Sequence, residues 1–512
     1  MDWELRFGAY TGTAVEVVIE DVAGSDPLAP QTTRTLHHVR WNDEKTHVQF
    51  FFNEVQFLAI PVFGEGRTRM EQTDREMVFV SDDENANLRY KLRFRKPNKF
   101  QRNALTAEEA RQALLDRVRP IDAVEVGLLE SIGRRLADNV STEEPIPHFR
   151  RSGMDGYAVR SEDIANASAS MPVVLEVIEH IPCGKAPLHA ITPGTASRIM
   201  TGGMVPDGAD AVIMLEMTEE IAKGGRTHVI IRKTDARGTN ITSIGDEADR
   251  GELVLVKGQV IGAGQTAILA ALGYSQVNVF RRPKVAILST GTELLQVSEP
   301  LQTGKIRNSN AYMLAAQIIS AGGEPQLVGS IPDDYGQAER MLEEILASDA
   351  DLIVTTGGVS VGDYDIMADF FTNWGGTTLF NKIAMRPGSP TTAGIWQHKF
   401  LFGLSGNPSA CFVGFELFVR PVLTGMQGGV AEPVRELTAS LAHDYGKVNA
   451  YTRFVRGFWQ SRDGKIEVAP VGLDKSSAII AIQDANCLIV IPPTKTGIAR
   501  GEIVTIIPLG GA

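Results

Sequence analysis

Along the first hundred residues, apolar and polar positions alternate in short stretches. Ala14–Asp21 (AVEVVIED), Thr33–Trp41, Thr46–Phe52, Glu76–Val80 and Leu88–Arg95 carry this period of two, with Gly, Pro, Asn and Asp between them. Each predicts a strand, and together they predict a small β-rich accessory domain over 1–100. The last strand continues as Lys91-Leu92-Arg93-Phe94-Arg95-Lys96-Pro97. Basic residues alternating with apolar ones make either a solvated strand face that resists edge-to-edge pairing or a docking strip for an acidic partner. The period turns helical over Leu105–Val118, entered through Thr106 and Glu109 at capping-box spacing. From Pro172 to Val256 the chain is again rich in Val and Ile, with turn clusters at Pro206-Asp207-Gly208 and Lys223-Gly224-Gly225. A short helix is predicted at Thr266–Leu272.

After Pro283 the pattern changes. Val285–Ser289, Gln326–Ile331, Leu352–Thr356 and Phe400–Leu404 are short apolar runs. Amphipathic stretches near Ala311–Ala321, Gly336–Ala347, Ile366–Trp374 and Ser409–Val422 lie between and after them. Strands alternating with helices predict right-handed βαβ units, and so a parallel sheet in a three-layer α/β domain. Beyond Gly428 strand patterning returns and ends in Cys487–Pro492, Pro493–Gly497 and Glu502–Pro508. The fold class is multidomain α/β plus β.

Composition narrows the function. Hydrophobic residues at 43% and charged residues at 22% of 512 are ordinary globular usage, with length for several domains. Cys183, Cys411 and Cys487 are far apart and fit no disulfide or zinc spacing, which points to a reducing compartment. Met1–Arg6 has no apolar leader segment, and no uncharged apolar run approaches the ~20 residues that span a bilayer. A soluble cytoplasmic protein without a membrane segment is expected. The net charge of −12, with no basic helix, excludes nucleic acid as a partner. Any anion must be held by local devices: backbone N–H groups, a few placed cations or a divalent metal.

Ligands of open parallel sheets bind at the carboxyl ends of the strands. Three such ends carry glycine loops: Ser289-Thr290-Gly291-Thr292-Glu293, Thr355-Thr356-Gly357-Gly358-Val359-Ser360 and Leu404-Ser405-Gly406-Asn407-Pro408. One such loop is a turn; three on one edge suggest a phosphate-type site, with a helix starting soon after the first and third. Glu293, Asp333, Asp334, Asp363 and Asp365 crowd the same edge. Acids around an anion make sense if Mg²⁺ sits among them, whereas Asp333 and Asp363 can equally cap the helices that follow. Gly262-Ala263-Gly264-Gln265-Thr266-Ala267 fits a dinucleotide fingerprint without the acid that should follow it. Gly358-Val359-Ser360-Val361-Gly362 fits a nucleophile elbow, with His398 and His443 downstream. Asp363 and Asp365 oppose an oxyanion there.

The motifs also occur together in a known order. Pro147–Val159 (PHFRRSGMDGYAV), Ile199-Met200-Thr201-Gly202-Gly203, Pro206–Val212 with Glu216, and Gly245-Asp246-Glu247 come first. Ser289–Leu294, Arg307-Asn308-Ser309-Asn310, Thr356–Asp363, Arg386-Pro387-Gly388-Ser389-Pro390 and Gly403–Pro408 follow. Across about residues 104 to 510 the chain resembles the MoeA-type molybdopterin molybdenumtransferases, the family that includes the gephyrin E domain. The resemblance implies a homodimer with a linker domain (104–148 and 238–281), a β-rich lid (149–237), a molybdopterin-binding α/β domain (282–427) and a C-terminal β domain (430–512). It implies insertion of molybdate into the dithiolene of adenylylated molybdopterin, with Mg²⁺-dependent release of AMP. Catalytic positions are then Asp155 and Thr201, from the partner's lid, with Glu293, Asp333, Asp365 and Arg386. Cofactor-binding positions are Gly291, Asn308, Ser309, Asn310, Gly357, Gly358, Ser360, Gly362, Asp363, Pro387, Gly388, Ser389, Pro390, Ser405, Gly406 and Asn407. Glu293, Asp333, Asp363 and Asp365 are the expected metal ligands.

Three departures accompany the resemblance. Arg386 and Ser389 stand at lysine positions of the family's Lys-Pro-Gly-Lys-Pro loop, Ala368 aligns with another family lysine, and Thr292 replaces an aspartate. Molybdate is a dianion, so two missing ammonium groups should weaken its pocket, although Arg386 keeps one charge and Lys382 is near in sequence. Three readings stand: a molybdenum- or tungsten-inserting transferase, a non-catalytic cofactor-binding or scaffold relative, and a serine hydrolase using Ser360. Residues 1–100 lie outside the resemblance and are expected to serve a protein partner or dimer geometry.

Overall fold

In the computed structural model the described residues are 3–510, apart from 9, 12–13, 24–31, 65, 73–75, 96–103, 332–334, 359–366, 368–369, 372–373 and 430–435. The chain forms two compact units, Met1–Asn103 and Ala104–Ala512.

In the first unit, Thr32–Thr35, Ala14–Asp21, Leu88–Arg95, Glu76–Asp83 and Thr68–Gln72 form a five-stranded antiparallel sheet in that order, beside a meander of His38–Trp41, His47–Phe51 and Phe57–Pro61. The stretch expected as one strand over Thr33–Trp41 divides between the two sheets. The helix Trp3–Gly8 and the strands Phe57–Pro61 and Thr68–Gln72 were not expected; the helix places Trp3 and Phe7 among Phe50, Phe79 and Phe94. Leu88–Arg95 is a central strand, not an edge. Three of its cations are matched within the sheet: Lys91 to Glu20 at 2.7 Å, Arg89 to Asp82 at 2.5 Å and Arg93 to Glu16 at 3.5 Å.

The second unit begins with the helix Ala107–Leu115, whose capping box has Thr106 and Glu109 each bonded to the other's backbone. A six-stranded sheet, in the order Ala211–Met214, Gly156–Val159, Thr195–Ile199, Val173–Ile181, Arg226–Ile231 and Thr218–Lys223, follows with its own core.

The central sheet consists of β1 (Lys284–Thr290), β2 (Glu324–Ile331), β3 (Leu352–Thr356), β4 (Thr377–Phe380), β5 (Thr392–Trp396) and β6 (Lys399–Leu404). The strand order is β2-β1-β3-β6-β5-β4. The first four strands of that order are parallel, as predicted. The antiparallel strands β5 and β4 were not predicted; they make the sheet mixed. The helices are α1 (Asn310–Ser320), α2 (Tyr335–Ala347), α3 (Pro408–Gly414) and α4 (Arg420–Met426), the last two joined by a π-helical segment at Phe415–Val419. Val285, Ile287, Val354 and Phe402 pack against Leu314, Ile318, Phe415 and Phe418, each burial contributing roughly 1.5–3 kcal/mol. Pro408–Met426 has the length and hydropathy of a membrane span but is 83% buried in this core.

A third six-stranded sheet follows the order Met385–Arg386, Thr452–Arg462, Lys465–Pro470, Leu437–Leu441, Ile503–Pro508 and Cys487–Ile491. The predicted strand at Pro493–Gly497 is instead a turn. Pro492 and Pro493 have no N–H to donate to a ladder, and the Thr494 hydroxyl takes the N–H groups of Thr496 and Gly497.

Candidate active site

Register brings the three glycine loops to one level. Ser289 pairs with Thr356, and Thr356 with Leu404, so the chain leaves β1, β3 and β6 side by side. The loops touch. Gly357 has φ +94°, and a Cβ there would lie 2.3 Å from Thr290 Oγ1, so only glycine suits the position. A Cβ on Gly406 would lie 3.4 Å from the Gly357 Cα. The third loop runs directly into α3, with Asn407 at the N-cap and Pro408 at N1. The first does not start a helix, contrary to expectation. It continues through the short paired strands Leu294–Leu295 and Ile306–Arg307, and α1 begins only at Asn310. Glu293 folds back over its loop; a Cβ on Gly291 would meet its carboxylate at 2.4 Å.

Two asparagines tie these strand ends together. Asn308 donates to Ser289 Oγ at 2.9 Å and accepts from the Ala311 N–H at 3.2 Å, capping α1. Asn310, 8% exposed, donates from Nδ2 to Thr356 Oγ1 and to the Gly406 carbonyl, both at 2.9 Å. Thr356 in turn donates to the Ser405 carbonyl. Ser309 sits at the N-cap of α1 without a side-chain capping bond. Gly358 follows Gly357 with φ +63°. Asp333, Asp334, Ser360, Gly362, Asp363, Asp365 and Ala368 lie outside the described residues, as does most of Ile366–Trp374.

Arg386 and its loop lie on the adjoining sheet. Met385 and Arg386 pair in parallel with Thr452 and Arg453. Pro387, Gly388, Ser389 and Pro390 complete a loop in which the Ser389 hydroxyl donates to the Ile383 carbonyl at 2.7 Å. The Arg386 side chain is exposed and, among the described residues, no carboxylate pairs with it. Beside it the C-terminal sheet holds a cationic cluster that the sequence reading missed. Tyr445, Lys447 and Arg453 converge on Asp474 Oδ2 at 2.7, 2.8 and 3.0 Å. Arg456, 2% exposed, donates to the Leu473 carbonyl. Burial acts to raise the Asp474 pKa, but bonds from Lys447 and Tyr445 and the Arg453 charge outweigh it and hold the carboxyl below its ordinary range. Two cations, Lys447 and Arg453, pair with one carboxylate, and among the described residues the Nε atoms of Arg453 and Arg456 are buried without a hydrogen-bond partner. The loop from Leu473 to Ala478 is fastened to the first turn of α3, through Ser409 N–H to the Ser476 carbonyl at 3.0 Å and Ser409 Oγ to Ala478. That loop fixes the cluster next to the third glycine loop. Two arginines in an otherwise apolar strand segment, Thr452–Arg456, were the available signal.

Asp155 and Thr201 meet on the second sheet, where Gly156 pairs with Ile199. The Thr201 hydroxyl and N–H both reach Asp155 Oδ1 at 2.6 Å, and these bonds lower the Asp155 pKa. Both residues are exposed. Among the described residues no hydrogen bond links them to the glycine loops. His398 precedes β6 in the hairpin at its amino end, about 20 Å of strand from the carboxyl edge. It is therefore poorly placed to serve a nucleophile following β3, and His443 is exposed.

Comparison with known proteins agrees with this architecture. Residues 105–273 match the MoeA N-terminal region (domain I and II), residues 286–425 a probable molybdopterin binding domain, and residues 438–509 the MoeA C-terminal region (domain IV). A molybdopterin molybdenumtransferase of Bacillus subtilis is 44% identical over 382 residues, covering 75% of this chain and 89% of the relative. One from Staphylococcus aureus is 40% identical over 406 residues, 79% of this chain and 96% of that one. The crystal structure of a molybdopterin biosynthesis moeA protein from Pyrococcus horikoshii superposes with a TM-score of 0.68 at 32% identity, covering 80% of this chain and all of that chain. Glycine loops on one sheet edge, a cation cluster fastened beside them and an Asp–Thr pair on a separate sheet are thus held in a chain that belongs to the MoeA family of molybdopterin molybdenumtransferases.

Proposed function

We propose that this protein acts in molybdenum cofactor biosynthesis, transferring molybdate into the dithiolene of adenylylated molybdopterin and releasing AMP. The observation that carries the reading is the junction of the three glycine loops with the exposed Arg386 and with Lys447 and Arg453, which share the one carboxylate of Asp474. The loops with Ser405, Asn407 and the N–H groups at the start of α1 that Asn308 leaves free would receive the pterin phosphate. Arg386 and Arg453, neighbours across the strand pair, would hold the oxyanion. Two surplus positive charges suit a dianion, which answers the missing lysines at 368 and 389.

Magnesium belongs to the same proposal. Among the described residues no three-carboxylate cluster occurs; the Glu293 carboxylate is the described donor, and its hard oxygens fit Mg²⁺. Asp333, Asp363 and Asp365 are the further ligands proposed. Bound there, the ion would neutralise charge building on the phosphoryl oxygens as AMP leaves. Asp155 and Thr201 are proposed to close the site from the lid of a second copy in a cytoplasmic homodimer, and residues 1–100 to engage a protein partner or set dimer geometry. Linker, lid, α/β and C-terminal domains are proposed with the bounds expected above.

The test is AMP release from adenylylated molybdopterin by the purified protein, anaerobically with Mg²⁺, with and without molybdate. Molybdate-dependent release with recoverable active cofactor supports the transferase. Pterin binding without release supports a non-catalytic relative instead.

A further inference from the structure

The loop that carries Arg386 is held from three sides. On one side the linker residue Leu105 donates its N–H to the Lys382 carbonyl at 3.1 Å and accepts from Ala384 N–H at 2.7 Å. On the second, Met385 and Arg386 pair with Thr452 and Arg453. On the third the loop closes on itself. Ile383 N–H donates to the Ser389 carbonyl at 2.8 Å, and the Ser389 hydroxyl donates back to the Ile383 carbonyl at 2.7 Å. Of these bonds only the last depends on a side chain; the Thr391 hydroxyl separately donates to the Gly388 carbonyl at 2.7 Å. The Ile383 carbonyl also accepts from Met385 N–H at 2.9 Å, so removing the hydroxyl orphans no buried group. The cost of its loss should fall on the placement of the loop and not on folding.

We propose that Ser389 is a positioning residue for oxyanion binding: its hydroxyl locks the 383–389 loop so that Arg386 stands beside Arg453, and one oxyanion meets both guanidinium groups. The inference rests on the transferase reading above. A long, flexible arginine binds better when its backbone is fixed beforehand, because less freedom is lost on binding. Serine at this position contributes a lock where a lysine would contribute a charge.

The experiment measures AMP release against molybdate concentration, with adenylylated molybdopterin affinity measured separately, for Ser389→Ala, Ser389→Thr and Ser389→Lys. Ser389→Ala should raise the half-saturating molybdate concentration about fivefold, the usual worth of one hydrogen bond. Ser389→Thr should restore it. Ser389→Lys should behave like the alanine variant despite its added charge. In an Arg386→Ala background the Ser389→Ala penalty should vanish, since the lock acts through that arginine. An unchanged Ser389→Ala, a Ser389→Lys that binds molybdate more tightly, or a penalty that persists without Arg386 would each overturn the inference alone. Absence of molybdate-dependent release in the unmodified protein would overturn the functional reading and this inference with it.

Discussion

Asn310 offers a direct test of how the site is assembled. Its Nδ2 donates both hydrogens, to Thr356 Oγ1 and the Gly406 carbonyl, joining the second and third glycine loops. Among the described residues its Oδ1 is buried without a partner. Asn310→Ala deletes two bonds worth about 1 kcal/mol each and exposes Gly406 O to a desolvation cost of about 1–3 kcal/mol. It also removes the orphaned Oδ1, recovering a cost of similar size, so the net loss should be only about 1–2 kcal/mol. Asn310→Asp keeps the shape but turns an oxygen onto the Gly406 carbonyl. Both donors vanish and a buried carboxylate faces a carbonyl, so the loss should exceed about 3 kcal/mol when ionised. Burial raises the folded-state pKa of such a carboxyl above its unfolded value. A neutral acid can still donate one hydrogen, so the deficit should be smallest at low pH and grow as pH rises through that raised value. Urea denaturation from pH 5 to 8 would measure this. Exchange of the Gly357 amide, bonded to the Leu404 carbonyl at 2.9 Å, reports the same effect locally. The expected order of stability is native, then alanine, then aspartate. An aspartate variant as stable as the alanine one, and flat with pH, would refute the amide orientation and the role built on it.

Two further outcomes are expected. Burial pushes the thiols of Cys411 and Cys487 up to about 12, while Cys183 is exposed, so a disulfide reagent at pH 8 should titrate one thiol in the folded chain and three in denaturant; more than one at the start would contradict the packing around α3 or in the C-terminal sheet. Asp155 is held below the ordinary carboxylate range by the Thr201 hydroxyl and N–H. A depressed pKa gives stability present above the unfolded value and lost as pH falls through the folded one, so Thr201→Val should move the Asp155 titration, followed by carbonyl NMR, up toward the ordinary range, and no movement would show that the pair does not form.

Much of the architecture was legible in the chain. The period of two at Ala14–Asp21 and Leu88–Arg95, the capping box at Thr106, and the apolar run Leu352–Thr356 correspond residue for residue to observed elements. Local preferences decided these, because each needs only the alternation or cap that its own residues supply. Thr377–Phe380 and Thr392–Trp396 escaped because antiparallel strands extending a sheet draw their stability from the neighbouring β6, not from a pattern of their own. The three glycine loops could be named from sequence as candidates.

What the sequence by itself determined, then, is that its most strongly patterned segments become strands and helices, and that glycines, hydroxyls and carboxylates follow the strand ends. Backbone propensity and hydrophobic period are written locally, so they can be read locally. Only the tertiary structure decided that Asn310 bridges Thr356 and Gly406, that Arg386 lies beside Arg453, and that Asp474 gathers Tyr445, Lys447 and Arg453. Those contacts join residues 21 to 96 positions apart, and charge and hydrogen bonding act over a few ångströms of space regardless of distance along the chain.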